Sequence, residues 1–180
     1  MRALKEWSAV VRALEDGAQC VILRKGGIHD AGPQGPLGAG EFALFPTHEH
    51  QEASSIKPAF RRYLEGGAPH GESFNTITSL ATVVAEATVA PGPALEALSP
   101  MHIWSDEYVA KRAAWMPERP LRAALLRVYR VGGRRVRTGP EHAGCRSWVD
   151  VDCEAGGGEA AMGEAEAAAA REAFGGAVAQ

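Results

Sequence analysis

Apolar side chains recur at helical spacing from the start of the chain, at Leu4, Trp7, Val10, Val11 and Leu14, with Lys5, Arg12, Glu15 and Asp16 on the rest of the wheel. The spacing predicts one amphipathic helix over residues 3–16, docked on a sheet and stopped by Gly17. The run Cys20-Val21-Ile22-Leu23 is short and partly β-branched, and Arg24-Lys25-Gly26-Gly27 follows it. That pattern predicts a buried strand ending in a turn. Residues 26–40, rich in Gly and Pro, read as a long surface loop. Glu41 to Phe45 reads as a second strand closed by Pro46, Pro58 to Leu64 as a short helix, and residues 66–73 as loop.

The stretch Thr76 to Val89 is rich in Thr, Val and Ala with uneven alternation, which predicts one long bent strand or two short ones. Residues 104–115 carry a helix start: Ser105 to cap free N–H groups, Asp106 and Glu107 against the positive dipole end, and Trp104 to staple onto Val109. Pro117 and Pro120 end it. Leu121 to Val131 is apolar on both faces in its middle, the mark of a central strand. Gly132-Gly133 then reads as a turn and Ser147 to Val151 as a last short strand. Beyond Cys153 the chain becomes Gly, Ala and Glu. The expected organisation is a single globular domain over 1–153 and a low-complexity tail over 154–180, disordered or at most a frayed helix over 159–173.

Composition changes this picture little: 46% hydrophobic and 23% charged residues in 180 suit one domain with a real core. No apolar run approaches a bilayer span and the first residues lack a signal-peptide core, so no membrane is expected and the compartment expected is the cytoplasm. Cys20, Cys145 and Cys153 make neither a CxxC pair nor an even disulfide set, and Cys20 reads as core. Charge matters more. The net −3 conceals a tail with five glutamates against Arg171, a net −4, and hence a body of +1. Residues 119–137 hold Arg119, Arg122, Arg127, Arg130, Arg134, Arg135 and Arg137 with no acid among them. Such crowding attracts phosphates or is simply a solvated strand and turn; both readings stay open.

Several small clusters carry candidate chemistry. Arg24-Lys25-Gly26-Gly27 sets two cations before two glycines that let a ligand approach the backbone, which suits an anion or an exposed turn. In Thr47-His48-Glu49-His50-Gln51 an extended chain puts His48 and His50 on one face, the spacing of metal-binding strands, but no third ligand is identified among His29, Asp30, His102 and Cys145. No metal or other cofactor is assigned; a hydrogen-bonded polar turn is the simpler reading. Glu49 or His50 is a candidate general base. Trp104, Tyr108, Arg112 and Trp115 fall near one side of a helix, as core aromatics or as a rim where a base stacks and Arg112 pairs a phosphate. Arg127, mid-strand in apolar surroundings, needs a carboxylate or ligand partner. Gly144-Cys145-Arg146-Ser147-Trp148 holds a thiol beside an arginine, yet reads better as a tight turn with Trp148 in the core.

The blocks Ala3-Leu4-Lys5-Glu6-Trp7, Leu23-Arg24-Lys25-Gly26-Gly27-Ile28, Phe45-Pro46-Thr47 with His50-Gln51, Pro120-Leu121 leading to Arg127-Val128-Tyr129, and Gly144 to Trp148 resemble the uncharacterised bacterial family domain of unknown function 1802. That resemblance implies no activity. More distantly the layout is similar to the ASCH group of PUA-like β-barrels, whose Gly-x-Lys-x-x-Glu-x-Arg signature falls here on Gly17, Gln19, Ile22 and Arg24. The resemblance implies an α+β fold, a PUA-like (ASCH-type) mixed β-barrel decorated by two or three helices. It does not bring the group's amidohydrolase chemistry, because Gln19 cannot store a proton where the signature has Lys.

PUA-like barrels bind RNA or modified bases, so the first functional expectation is a nucleic-acid or nucleotide-binding module with a cleft of Arg24, Lys25, His50, Arg112, Arg127 and Arg146. The alternatives are a hydrolase or nuclease with a His/Glu site, metal-assisted or not, and a non-enzymatic interaction protein. Whether the chain is an enzyme stays open at this point.

Overall fold

The computed structural model of the chain describes residues 1–25, 40–144 and 146–180. Gly26, Gly27, His29, Asp30 and Cys145 therefore lie outside the described residues. The strands are β1 (Arg2–Trp7), β2 (Val21–Lys25), β3 (Phe42–Thr47), β4 (Phe74–Val89), β5 (Leu121–Arg137), β6 (Trp148–Asp150) and β7 (Glu159–Ala160). The helices are α1 (Ser8–Glu15), α2 (Pro93–Ala97), α3 (Asp106–Ala114) and α4 (Glu164–Val178), and Pro58–Leu64 is a 3-10 helix.

The single helix expected over residues 3–16 is corrected to a strand followed by a helix. β1 is paired on both edges, parallel to β3 and antiparallel to β6, and Ala3 and Leu4 are both fully buried because each enters a different apolar cluster. Helical periodicity holds only from Ser8 onward, where Ser8, Ala9, Val10, Val11, Ala13 and Leu14 are buried. Gly17 ends the helix in a left-handed conformation (φ 69°), as its position suggested. The helix start has no cap of its own; Gln51 accepts the Ala9 N–H at 2.9 Å from across the fold.

The described strands form one mixed sheet ordered β2-β5-β4-β3-β1-β6, so the fold is α+β, and the sheet is not closed. Since β4 pairs along almost all of β5, β2 and β7 share the other edge of β5, β2 over Leu121–Leu125 and β7 at Tyr129 and Arg130. The expected turn at Gly132-Gly133 is corrected: β5 continues to Arg137, and the glycines lie where the register against β4 shifts between Ser79↔Arg130 and Ile77↔Arg134. β4 is one long strand with two such shifts. The apolar middle of β5 is explained by its cover, since α1 and α4 both pack on it.

The larger core gathers α1, β2, β5 and the inner faces of the helices around Leu14, Ile22, Leu125 and Leu126. A smaller one holds Ala3, Ala43, Phe45, Ile77, Leu80 and Val149 on the other side of the sheet. The segment after Cys153 adds β7 and α4, and α4 buries Phe174 and Ala177 while packing on α2, β4 and β5. Among the described residues no helix is long and apolar enough to cross a membrane.

Candidate functional site

At the point where β1 ends, Trp7 meets two aromatic residues delivered by the start of α3. Ser105 caps α3 as its sequence suggested, accepting the Tyr108 N–H at 3.3 Å, and this fixes Trp104 and Tyr108 in one orientation. Trp104 and Tyr108 stack at 4.4 Å between centroids, and Trp7 packs edge-on to Trp104 at 5.0 Å. Trp104 is core, but the group continues outward. Trp7, Tyr108 and Trp115 line a cavity of about 380 Å³ with His50, Glu52, Ser54, Ser55, Glu107, Lys111 and Arg112. Trp115 stands 53% exposed at its edge, unusual for so large an apolar ring.

The cleft's polar groups are unevenly satisfied. Lys111 pairs with Glu107 at 2.7 Å in solvent. Among the described residues Arg112 reaches only the Tyr108 hydroxyl, at 3.4 Å, and its Nε is buried with no hydrogen-bond partner. Burial pushes the Tyr108 phenol above its usual range, Arg112 opposes this, and Glu6 reinforces it. A neutral phenol and a fixed guanidinium therefore face the cavity together.

The residues proposed from sequence do not converge on one pocket. His50 and Arg112 line this cleft. Arg24 lies close enough to act on Tyr108 but is spoken for: its Nη1 contacts Glu6 at 2.6 Å and the Lys5 carbonyl at 3.3 Å. Lys25 is buried and donates to the Ala113 carbonyl at 2.5 Å, satisfying the C-terminal end of α3 rather than a ligand. Arg127 sits in the middle of β5 against Glu164, and Arg146 is exposed ahead of β6.

The extended His48–Glu49–His50 face is corrected to a turn in which His50 is left-handed (φ 61°). The turn sends the neighbours apart. His50 lines the aromatic cleft, whereas His48 and Glu49 line a second cavity of about 490 Å³ with Lys5, His70 and His142. His48 stacks on His70 at 3.5 Å, and burial with the neighbouring His70 lowers its pKa. Among the described residues no group of three or more His, Cys, Asp or Glu could hold a metal ion. Trp7, Glu52, Ser54 and Ser55 are cleft residues that the chain pattern did not flag. Trp7 was hidden inside an apparent helix repeat, and the others carry no spacing signal.

With this geometry in place, the chain matches the model of the family described as Domain of unknown function (DUF1802) over residues 3–173. The chain belongs to this family. The matched residues include β7 and most of α4. Comparison with curated proteins returns no match. Two solved structures of the ASCH protein of Zymomonas mobilis are similar in fold. A tyrosine-to-phenylalanine mutant covers 76% of this chain and 72% of that one at 12% identity, TM-score 0.39. A serine-to-alanine mutant covers 82% and 85% at 11% identity, TM-score 0.43.

Proposed function

We propose that this DUF1802 domain is a nucleic-acid or nucleotide-binding module that stacks a base in the cleft of Trp7, Tyr108 and Trp115 and pairs a phosphate with Arg112. The supporting observation is the combination of a half-exposed Trp115 with a buried, unpartnered Arg112 Nε in the same cavity. Neither group is explained by packing: the indole forgoes burial and the guanidinium forgoes a hydrogen bond. A stacked base would cover the indole, and a phosphate oxygen would supply an acceptor for the guanidinium. The cleft is not strongly cationic, because Glu52 and Glu107 stand beside Lys111 and Arg112. Affinity in this reading comes from stacking more than from charge, and the expected salt dependence is shallow.

Fluorescence titration of the full chain with oligouridylate, oligodeoxythymidylate and nucleoside monophosphates tests this directly. Binding is expected to quench tryptophan emission, and Trp115→Ala is expected to weaken it about tenfold, the loss of one stacked base. Arg112→Gln should weaken phosphorylated ligands and leave bare nucleosides unaffected. Absence of binding to all three probes at low salt, or indifference to Trp115→Ala, overturns the reading.

A further inference from the structure

We infer that the arginine-bearing half of β5 is a second surface, for the phosphate backbone of single-stranded nucleic acid, which the acidic segment 154–166 occupies in cis. Three arginines of the strand are each engaged by that segment. Arg127 Nη2 meets Glu164 Oε1 at 2.5 Å and Arg130 Nη2 meets Glu159 Oε1 at 3.2 Å. Arg134 donates to the carbonyls of Glu154 and Gly156. The segment is seated tightly on the strand: Ala161 donates to the Val128 carbonyl at 2.9 Å, and a Cβ on Gly158 would come within 2.7 Å of the Tyr129 Cβ and 3.0 Å of the Arg130 carbonyl.

The seating is specific, yet its grip is uneven. Phe174 and Ala177 anchor the far half of α4 in the core. Residues 154–166 bury no large side chain completely: besides the Arg134 and Val128 contacts they are held by a two-residue strand, by Glu41 accepting the Gly156 N–H, by partly buried Ala161 and Met162, and by glutamates whose side chains are 82% and 93% exposed. Ion pairs to carboxylates so exposed contribute little and are screened by salt, so an incoming polyanion exchanges one set of acceptors for another. Arg127 is ready for a richer acceptor: its side chain is only 12% exposed, and its Nη1 is buried with no partner among the described residues while Nη2 holds Glu164. Among the described residues Glu164 is also the only carboxylate lining the cavity of about 290 Å³ shared by Arg127 and Arg171. With Glu164 withdrawn, two guanidiniums remain, and phosphate oxygens accept from them in the same way as a carboxylate. The net −4 of the segment after Cys153, laid over a strand with six arginines and no acid, makes it an internal mimic of the partner.

This inference shares a partner class with the cleft reading but none of its residues, so the two are tested apart. Calorimetric titration of the full chain in an Arg112→Gln background with inorganic polyphosphate, which has no bases to stack, reports the arginine surface without the cleft's phosphate contact. Glu159→Gln/Glu164→Gln removes the carboxylates, and Gly158→Val lifts the segment without changing charge. Each is expected to bind polyphosphate about tenfold more tightly than the parent at low salt, with a steeper salt dependence. Adding Arg130→Gln to Gly158→Val should remove the gain, and Trp115→Ala should not alter it. If Gly158→Val fails to fold, Gly158→Ala takes its place. Equal affinity in parent and variants overturns the inference, as does a gain in the charge variant with none in Gly158→Val, which would mark a general charge effect. The same order is expected with oligouridylate; a gain on polyphosphate alone overturns the nucleic-acid assignment.

Discussion

The aromatic cleft and the arginine half of β5 show opposite relations between sequence and accessible chemistry. β5 carries the densest run of one charge in the chain, and in the folded protein Arg127, Arg130 and Arg134 are already occupied by the chain's own acidic segment. The cleft is close to charge-balanced, and there an exposed indole stands beside an unpartnered Arg112 nitrogen, whereas on β5 the one such nitrogen among the described residues, Arg127 Nη1, belongs to a guanidinium already paired with Glu164. Crowding of cations thus marks where the chain must satisfy itself. Groups left unsatisfied mark where a ligand has something to gain.

The comparison breaks most sharply at Phe174. That ring is 2% exposed and is the main apolar anchor of α4, so Phe174→Ala is expected to cost about 3–5 kcal/mol in urea unfolding, the usual range for removing a buried aromatic ring. If the acidic segment is held chiefly from this end, the same variant binds polyphosphate more tightly than the parent while the cleft still quenches with oligouridylate. A loss well under 1 kcal/mol would show α4 to be loosely docked.

The next largest effect is that of pH on the core beside α3. His102, buried beside α3, is held at about 4 by burial and by the charge of Lys57, which donates to its backbone carbonyl. The unfolded chain binds a proton at this side chain near 6.5 and the folded chain resists until about 4, so between those values the unfolded state carries more protons. The stability that the neutral ring contributes is complete above pH 6.5 and is lost as pH falls toward 4, on the order of 3 kcal/mol in all. His102→Gln should flatten that slope in urea midpoints. Residues 154–180 contain no histidine, so the acidic segment has no counterpart to this loss.

A smaller effect is expected at Glu6. Its side chain is 10% exposed and satisfies Arg24 next to Tyr108, so Glu6→Gln should cost about 1–3 kcal/mol by leaving a mostly buried guanidinium poorly paired. Glu6→Gln/Arg24→Met should recover part of the loss. If the double variant is no better than the single, Arg24 is not what Glu6 holds.

Much of the scaffold was legible in the chain because it rests on local rules. The Ser105 cap, the Gly17 stop, the buried run at Val21–Leu23 and the long strand through Leu125 each follow from a few neighbouring residues. What was not legible depends on distant partners. Leu4 and Trp7 fit a helix repeat, and only pairing with β3 and β6 makes their segment a strand. Gly132-Gly133 has the composition of a turn, and only the register against β4 turns it into a shift within one strand. The site was half legible: Arg112, Tyr108 and Trp115 share a helix face that spacing reveals, but His50 joins them and His48 leaves only because the intervening turn is left-handed. Lys25 and Arg24 could not be told from free cations until their carbonyl and carboxylate partners were in view.

The finest distinction concerns Lys111, the cleft's one cation paired at the surface. Glu107 meets it at 2.7 Å with both side chains about three-quarters exposed, and each holds the other's charge: Lys111 lowers the Glu107 pKa, and Glu107 raises that of Lys111. A pair so exposed does little for the fold, so Glu107→Gln should leave the thermal midpoint unchanged. At the cleft it should matter slightly, because a phosphate would no longer compete with a carboxylate for Lys111. Roughly twofold tighter binding of uridine monophosphate at low salt is expected, fading as salt is raised. If cis pairing at the cleft and cis pairing on β5 were equivalent, Glu107→Gln and Gly158→Val would gain alike on their respective probes, and the distinction between an open site and an occupied one would fall.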